Sequence, residues 1–342
     1  MTKLAVIGNN PVALSALTFC QRSGLSDIDL VERNETATHP ATILGSNLSR
    51  LVQAVTGDAL QDVGFVPDRN QTRLARSAFL LAELPLGKFY ADRYGAPHIN
   101  VLVDDLHAIL RDAKPARPSL TAHSFDASDY DLVIETANLS TPKTLHVRQP
   151  GTFPANITWL AERFVAWQFS TRQQTHCIIF GEIDAPEQYH PMLAPYLEAA
   201  LAGAQAHENS YRATGLIPAH ETRDTLYQGQ TAFLGDAVTS AVPLQPEMRY
   251  CGFEDAWVLS RMIENYEEDL SLALSEYERY RLPRHRKIAA AAALETQRFL
   301  GKRGAAAVAR NLGVAFRARF LPEMAMQAID WFYQYDCIRG FR

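Results

Sequence analysis

The stretch LAVIGNNPVALSALTF, residues 4–19, is the part of the chain from which the fold is read. Leu4, Ala5, Val6 and Ile7 make a short apolar strand that runs into Gly8, and Val12, Leu14, Ala16 and Leu17 recur beyond it at helical spacing. Strand, glycine turn and helix in that order outline the first βα turn of a dinucleotide-binding unit. The turn carries Asn9 and Asn10 where a second glycine ordinarily stands. A second strand, DIDLVE, ends in Glu32, 19 residues beyond Ala13. That is close to the roughly 20 expected of the acid that holds an adenosine ribose. Any βαβ unit can end its second strand in an acid, so both readings of Glu32 stand at this point.

The 342 residues are 47% hydrophobic and 21% charged, enough to bury a full core in one large domain or two joined ones. A formal net charge of -5 gives no broad electropositive field and argues against nucleic-acid binding. Cys20, Cys177, Cys251 and Cys337 are scattered, without the close pairs of metal sites or redox dithiols, and read as free thiols of a reducing compartment. No run of about 18 apolar residues and no leader-like start is present, so we expect a cytoplasmic protein with at most peripheral membrane contact.

Further along, ATILGSNLSRLVQAVTG (41–57) reads as a loop entering a helix capped by Gly57, HINVLVDDLHAILRDA (98–113) as a strand continuing into a helix, and YDLVIETANLS (130–140) as a third buried strand. Residues 65–97 and 145–230 alternate in short runs such as HCIIFGEI, which suggests strands of a separate sheet interrupted by a helix over 192–207. After residue 252 the pattern is helical to the aromatic C-terminus.

A second anchor is QTAFLGDAVTSAVPLQPEMRYCGFEDAWVLSRMI, residues 230–263. A strand ends in Gly235-Asp236, a loop follows, and a helix opens near Gly252 and Asp255. Glycine admits close backbone approach, a carboxylate accepts from ribose or ribityl hydroxyls, and a helix N-terminus offers amides to an electron-rich edge. Together with Gly8, Glu32, DDLHAIL, ALSEYERYRLPR and RNLGVAFRARFLPEM, this segment resembles the flavin-dependent aromatic hydroxylases, the group A FAD monooxygenases, and among them the ubiquinone-pathway hydroxylases.

The resemblance implies an α/β fold: a Rossmann-like FAD-binding domain with an inserted mixed-sheet substrate domain and C-terminal helices. It places residues 1–64, 98–144 and 226–285 in the first, 65–97 and 145–225 in the second, and 286–342 in the helical segment. It also implies Gly8, Asn10, Ala13, Glu32, Gly235, Asp236 and Pro243 as the FAD-binding positions and NAD(P)H as electron donor. The family pattern is altered at several of them. G-x-G-x-x-G becomes Gly8, Asn10 and Ala13, the Asp-Gly of the second motif becomes Ala137 and Asn138, two later glycines become Pro246 and Met248, and an arginine becomes Val103. Asn10 brings a side chain into space that pyrophosphate would use.

In this family the cofactor carries the hard chemistry, so no catalytic side chain is dictated by the sequence and none is assigned. His176, Tyr189, His190 and His220 are polar candidates in the substrate region, with a structural role the commoner one for a lone histidine. The basic run Arg279, Arg281, Arg284, Arg286 and Lys287 reads as a solvated face or as an attractor of an anionic substrate, NAD(P)H or a lipid surface, and Trp331, Phe332, Tyr333 and Tyr335 as packing against the body or, as the less simple reading, a membrane or partner contact. Three functions follow. The first is an FAD-dependent monooxygenase hydroxylating a small aromatic or quinone-like molecule with NAD(P)H and dioxygen. The second is a flavin-free homologue that binds a ligand or serves a protein partner in a biosynthetic complex. The third is a cofactor-independent enzyme.

Overall fold

The computed structural model describes residues 2–33, 40–113, 119–121, 125–136, 145–183, 185–206, 222–239, 250–300 and 304–340. The chain opens with β1 (Lys3–Ile7), α1 (Pro11–Arg22) and β2 (Asp27–Glu32), followed by β3 (Ala41–Leu44), α2 (Ser46–Thr56) and the short α3 (Ala59–Val63). Gly57 ends α2 at φ +60, its N–H donating to the Gln53 carbonyl, as its place in the sequence predicts. A hairpin of β4 (Arg69–Leu74) and β5 (Leu80–Pro85) leads to α4 (Gly87–Tyr94), and β6 (Ile99–Leu102) runs directly into α5 (Val103–Asp112). Next come β7 (Ser119–Thr121), β8 (Leu132–Glu135), β9 (Leu145–Pro150), β10 (Ala155–Leu160), β11 (Phe164–Ser170), β12 (Gln174–Gly181) and α6 (Ala194–Ala206). The strands β13 (Tyr227–Gln228) and β14 (Thr231–Phe233) precede α7 (Gly252–Asn265), α8 (Leu270–Leu300), α9 (Gly304–Phe320), α10 (Pro322–Tyr333) and α11 (Cys337–Gly340).

The first sheet has the order β13-β14-β8-β1-β2-β7, parallel throughout except for the edge strand β13. Leu4, Val6, Leu132 and Ile134 are fully buried on one side of it, under α1 and α7, which is why these strands read as continuous apolar runs. The second sheet, β5-β4-β10-β11-β12-β9, is mixed, with only β4 and β10 parallel. Every residue of β11 is buried because both faces of this sheet are covered. Trp159, Phe164 and Ile179 pack toward Leu193 and Leu197 beside α6, whereas Val165, Trp167 and Ile178 face Phe299, Leu300 and Val314 of α8 and α9.

The chain thus combines a dinucleotide-type parallel sheet, a mixed second sheet and a helical C-terminal part. The basic run splits. Arg279, Arg286 and Lys287 are exposed, but Arg281, Arg284 and His285 are buried in the core, so the expected solvated face is only half of it. Phe332 and Tyr333 are buried, as packing against the body requires.

Candidate functional site

Gly8 closes β1 at φ +134, a conformation open to glycine, and its N–H donates to the Val31 carbonyl at 3.0 Å. Asn10 is extended (φ -122) and caps α1: its Oδ1 accepts from the Ala13 N–H at 3.0 Å. Its Nδ2 donates to Thr136 Oγ1 and to the Thr136 carbonyl at 3.1 and 3.3 Å, while the Thr136 hydroxyl donates to the Ile7 carbonyl. Pro11 occupies the first helical position and brings no N–H. Of the amides at Pro11, Val12 and Ala13 that would meet a pyrophosphate, one is missing and one is taken by the side chain of Asn10 itself.

Glu32 ends β2 half-exposed, and Arg111 Nη2 of α5 lies 3.6 Å from its Oε1. Arg111 also donates to Asn9 Oδ1 at 3.3 Å, and His107 Nε2 lies 2.9 Å from the same oxygen. The arginine expected at Val103 is absent, but α5 brings two other nitrogen-bearing side chains to the turn, one and two turns later. The i, i+4 spacing of His107 and Arg111 was the signal for them.

Gly235 sits at φ +56, and its N–H donates to Asp255 Oδ2 at 2.8 Å. A Cβ there would stand 3.1 Å from Gly252 Cα, and one on Gly252 would stand 2.7 Å from Val12 Cγ1. The start of α1 at Val12, the Gly235 turn and the first turn of α7 therefore meet at one place, with Ala13 buried behind it and Asp236 partly exposed. Pro243, Ala137, Asn138, Pro246, Met248 and His220 lie outside the described residues.

Beneath this place lies a buried ionic cluster. Arg281 Nε donates to Asp255 Oδ1 at 2.6 Å and its Nη2 stands 2.9 Å from Glu254 Oε2. Arg284 grips both Glu254 oxygens at 2.9 and 3.1 Å, and His285 Nε2 is 2.9 Å from Asp255 Oδ2. Burial opposes the Asp255 charge most strongly, but His285 and Arg281 overcome it and hold the carboxyl well below the usual carboxylate range. Glu254 is lowered in the same way by Arg284 and Arg281 against its own burial. Asn47 of α2 donates to Glu254, while Arg281 reaches the Tyr335 hydroxyl and Arg284 the Trp331 and Phe332 carbonyls. The cluster ties α2, α7, α8 and the C-terminus together. The bond from the Gly235 N–H to Asp255 marks it as a positioning device for the Gly235 turn.

A cavity of about 530 Å³ opens between the second sheet and helices α8–α10. Trp167, Phe169, Tyr90, Tyr94, Trp331 and Tyr333 give it aromatic walls, and Asn70, Thr72, Asn156, Gln168 and His98 give it polar points. Burial pushes His98 down to about 3, so it is neutral, and its Nε2 lies 3.1 Å from Asn156 Nδ2. Trp167 Nε1 is buried without a hydrogen-bond partner among the described residues. A donor of that kind on a cavity wall suits a ligand that carries an acceptor oxygen.

Of the polar candidates read from the sequence, His176, Tyr189 and His190 stand away from this lining. His176 is paired with His146 at 3.1 Å and Tyr189 packs edge-on against Phe164. Tyr90, Tyr94 and His98 are the residues that the sequence reading passed over. Their spacing of four in GKFYADRYGAPH put the two tyrosines on one face of α4. Among the described residues no group of histidine, cysteine and carboxylate side chains could hold a metal ion, and no helix is long and apolar enough to cross a membrane.

No family model matches the sequence, and no curated protein is similar to it at a significant level. Solved structures are similar in fold. HpxO of Klebsiella pneumoniae, complexed with FAD and uric acid, superposes with a TM-score of 0.71 at 18% identity, covering 97% of this chain and 96% of that one. The p-nitrophenol 4-monooxygenase PnpA of Pseudomonas putida gives 0.72 at 11% identity, covering 98% of each chain. A salicylate hydroxylase in complex with its substrate gives 0.69 at 15% identity, covering 98% of this chain and 96% of that one. The chain therefore has the fold of the flavin-dependent aromatic hydroxylases over nearly its whole length.

Proposed function

We propose that the protein binds a small aromatic or quinone-like molecule in the cavity beneath Trp167 and Tyr333, and that its dinucleotide turn does not hold FAD tightly. The observation that carries this reading is the side chain of Asn10. It stands at the position where a glycine would let pyrophosphate approach, and it already satisfies the Ala13 amide that the pyrophosphate would use. It is fixed a second time on Thr136. To admit the anion the turn must surrender this cap, at a cost of about 1 kcal/mol, and must also clear the side chain from the approach. The residues present do not fit a firmly held dinucleotide. The chain then serves as a ligand-binding or accessory component that retains the hydroxylase fold.

A second reading is an FAD-dependent monooxygenase that hydroxylates such a molecule with NAD(P)H and dioxygen. It is favoured by the left-handed glycine turns at Gly8 and Gly235, by the close approach of Gly235 to the start of α7, and by Glu32 at the end of β2. The pair Glu32–Arg111 is half-exposed and weak enough to open for a ribose. FAD titration of the wild type and of Asn10→Gly separates the two. Our reading predicts a gain of at least about tenfold in FAD affinity on removing the side chain. Replacing an N-cap Asn by Gly costs the helix only a few tenths of a kcal/mol, so the variant folds. Tight wild-type binding that Asn10→Gly leaves unchanged overturns the first reading in favour of the second.

A further inference from the structure

Helix α9 shows an exposed apolar stripe that no packed partner among the described residues explains. Val308, Leu312, Phe316 and Phe320 follow one another at intervals of four and are 57% to 66% exposed. Leu294 of α8 and Met324 of α10, on the helices before and after α9, are equally exposed. A contiguous exposed patch of this kind marks an interaction surface, since single exposed apolar residues are ordinary and a row of large ones is not.

The charge around the stripe says what would cover it. The 17 residues of α9 contain Arg310, Arg317 and Arg319 and no acid. Arg317 and Arg319 are exposed, while Arg310 folds inward onto the Arg298 and Phe299 carbonyls at 3.2 and 2.9 Å. Burial and then the neighbouring Arg317 charge lower the pKa of Arg298, against a smaller pull from Glu295. Glu323 is engaged by Arg93 at 3.0 Å, and Glu83 of β5, the strand packed against α9, by Arg69 at 3.7 Å. A chain of net charge -5 thus carries a locally cationic apolar face. A second copy of the chain, docked about a two-fold axis, would bring this patch onto itself and oppose arginine to arginine. An anionic bilayer complements both the stripe and the charge.

The same face is where the cavity reaches the surface. Leu294 and Met324 line the cavity and are exposed, and Arg317, Phe299 and Ala318 continue its wall beneath the stripe. We propose that the α9 face docks on a bilayer containing anionic phospholipid, with Phe316 and Phe320 entering the acyl boundary, so that the cavity mouth opens at the lipid interface. That mouth would admit an apolar, acceptor-bearing molecule dissolved in the membrane. The docking stands by itself, whereas the role of the mouth rests on the proposed reading of the cavity as a ligand site.

Cosedimentation with vesicles of phosphatidylcholine, alone or mixed with phosphatidylglycerol, tests the docking without added flavin. Partition into the mixed vesicles that weakens with added salt is expected, and the double variant Phe316→Glu, Phe320→Glu should lower it at least about tenfold. Neither residue lines the cavity. An unchanged thermal melt shows that the variant is folded, and Arg319→Gln, a milder change, should lower binding to the mixed vesicles only. Absence of binding, or equal binding by wild type and double variant, overturns the proposal. So does a wild-type dimer in size-exclusion chromatography that the double variant dissolves, because a second copy then occupies the face. The FAD titration reads a different site, so either proposal can fail while the other stands.

Discussion

Asp255→Asn removes one charge from the buried cluster while keeping the side chain's shape. Both Asp255 oxygens are committed as acceptors: Oδ1 takes Arg281 Nε at 2.6 Å, and Oδ2 takes the Gly235 N–H at 2.8 Å, with His285 Nε2 within reach of each. Asparagine offers one acceptor oxygen, so whichever way its amide turns, an N–H faces another donor. Arg281 keeps Glu254 and the Tyr335 hydroxyl, but it loses a counter-charge at full burial and His285 loses an acceptor. Breaking one partner out of a buried ion pair costs about 3–5 kcal/mol. For a chain of 342 residues, at roughly 2 °C per kcal/mol, this lowers the melting temperature by about 6–10 °C. The assay is a thermal melt followed across pH. The carboxyl pKa is depressed in the folded chain, so its contribution is complete above the unfolded value of about 3.9 and is lost as pH falls below it. The variant should therefore be less stable at neutral pH and should approach the wild type in acid. A neutral-pH melting temperature within about 1 °C of the wild type refutes the assignment of the cluster as the support of the Gly235 turn.

Two further outcomes follow from the geometry. Gly252→Ala places a methyl 2.7 Å from Val12 Cγ1 and 3.0 Å from Gly235 Cα. It should destabilise by about 1–3 kcal/mol in urea unfolding, although alanine is the better helix former by up to about 1 kcal/mol. His98, held neutral down to about 3, binds its proton more weakly folded than unfolded. Stability thus falls as pH drops from about 6.5 toward 3, and a neutral replacement, His98→Asn, should flatten that part of the pH profile. His146 and His176, both lowered to about 4 chiefly by burial, act in the same direction in the upper part of that window.

Much of the fold was legible where a single segment carries its own signal. The run Leu4–Ile7, the glycine turn and the apolar face of α1 gave β1 and α1, and Gly57 gave the end of α2. The strands β10–β12 fall in the segment whose short alternating runs suggest a separate sheet, although which neighbour covers each face is a tertiary matter. What could not be read is set by contacts across the chain. Arg281 and Arg284 look like surface charges on a helix until α7 places Glu254 and Asp255 opposite them, 26 and 30 residues away. The asparagine at the turn was visible as a departure from glycine, but its role as a helix cap fixed to Thr136 depends on a residue just beyond β8, 126 positions further on. Likewise the cavity draws Tyr90, Trp167 and Tyr333 from three distant elements, and no local pattern announces their meeting.

The measurement that tests the central claim most directly is the visible absorbance spectrum of the purified wild-type protein, followed by equilibrium titration with FAD. A turn capped by its own Asn10 predicts colourless protein with no saturable binding at micromolar FAD. Protein that purifies yellow with stoichiometric FAD contradicts the account, and would show that pyrophosphate displaces Asn10 from the Ala13 amide.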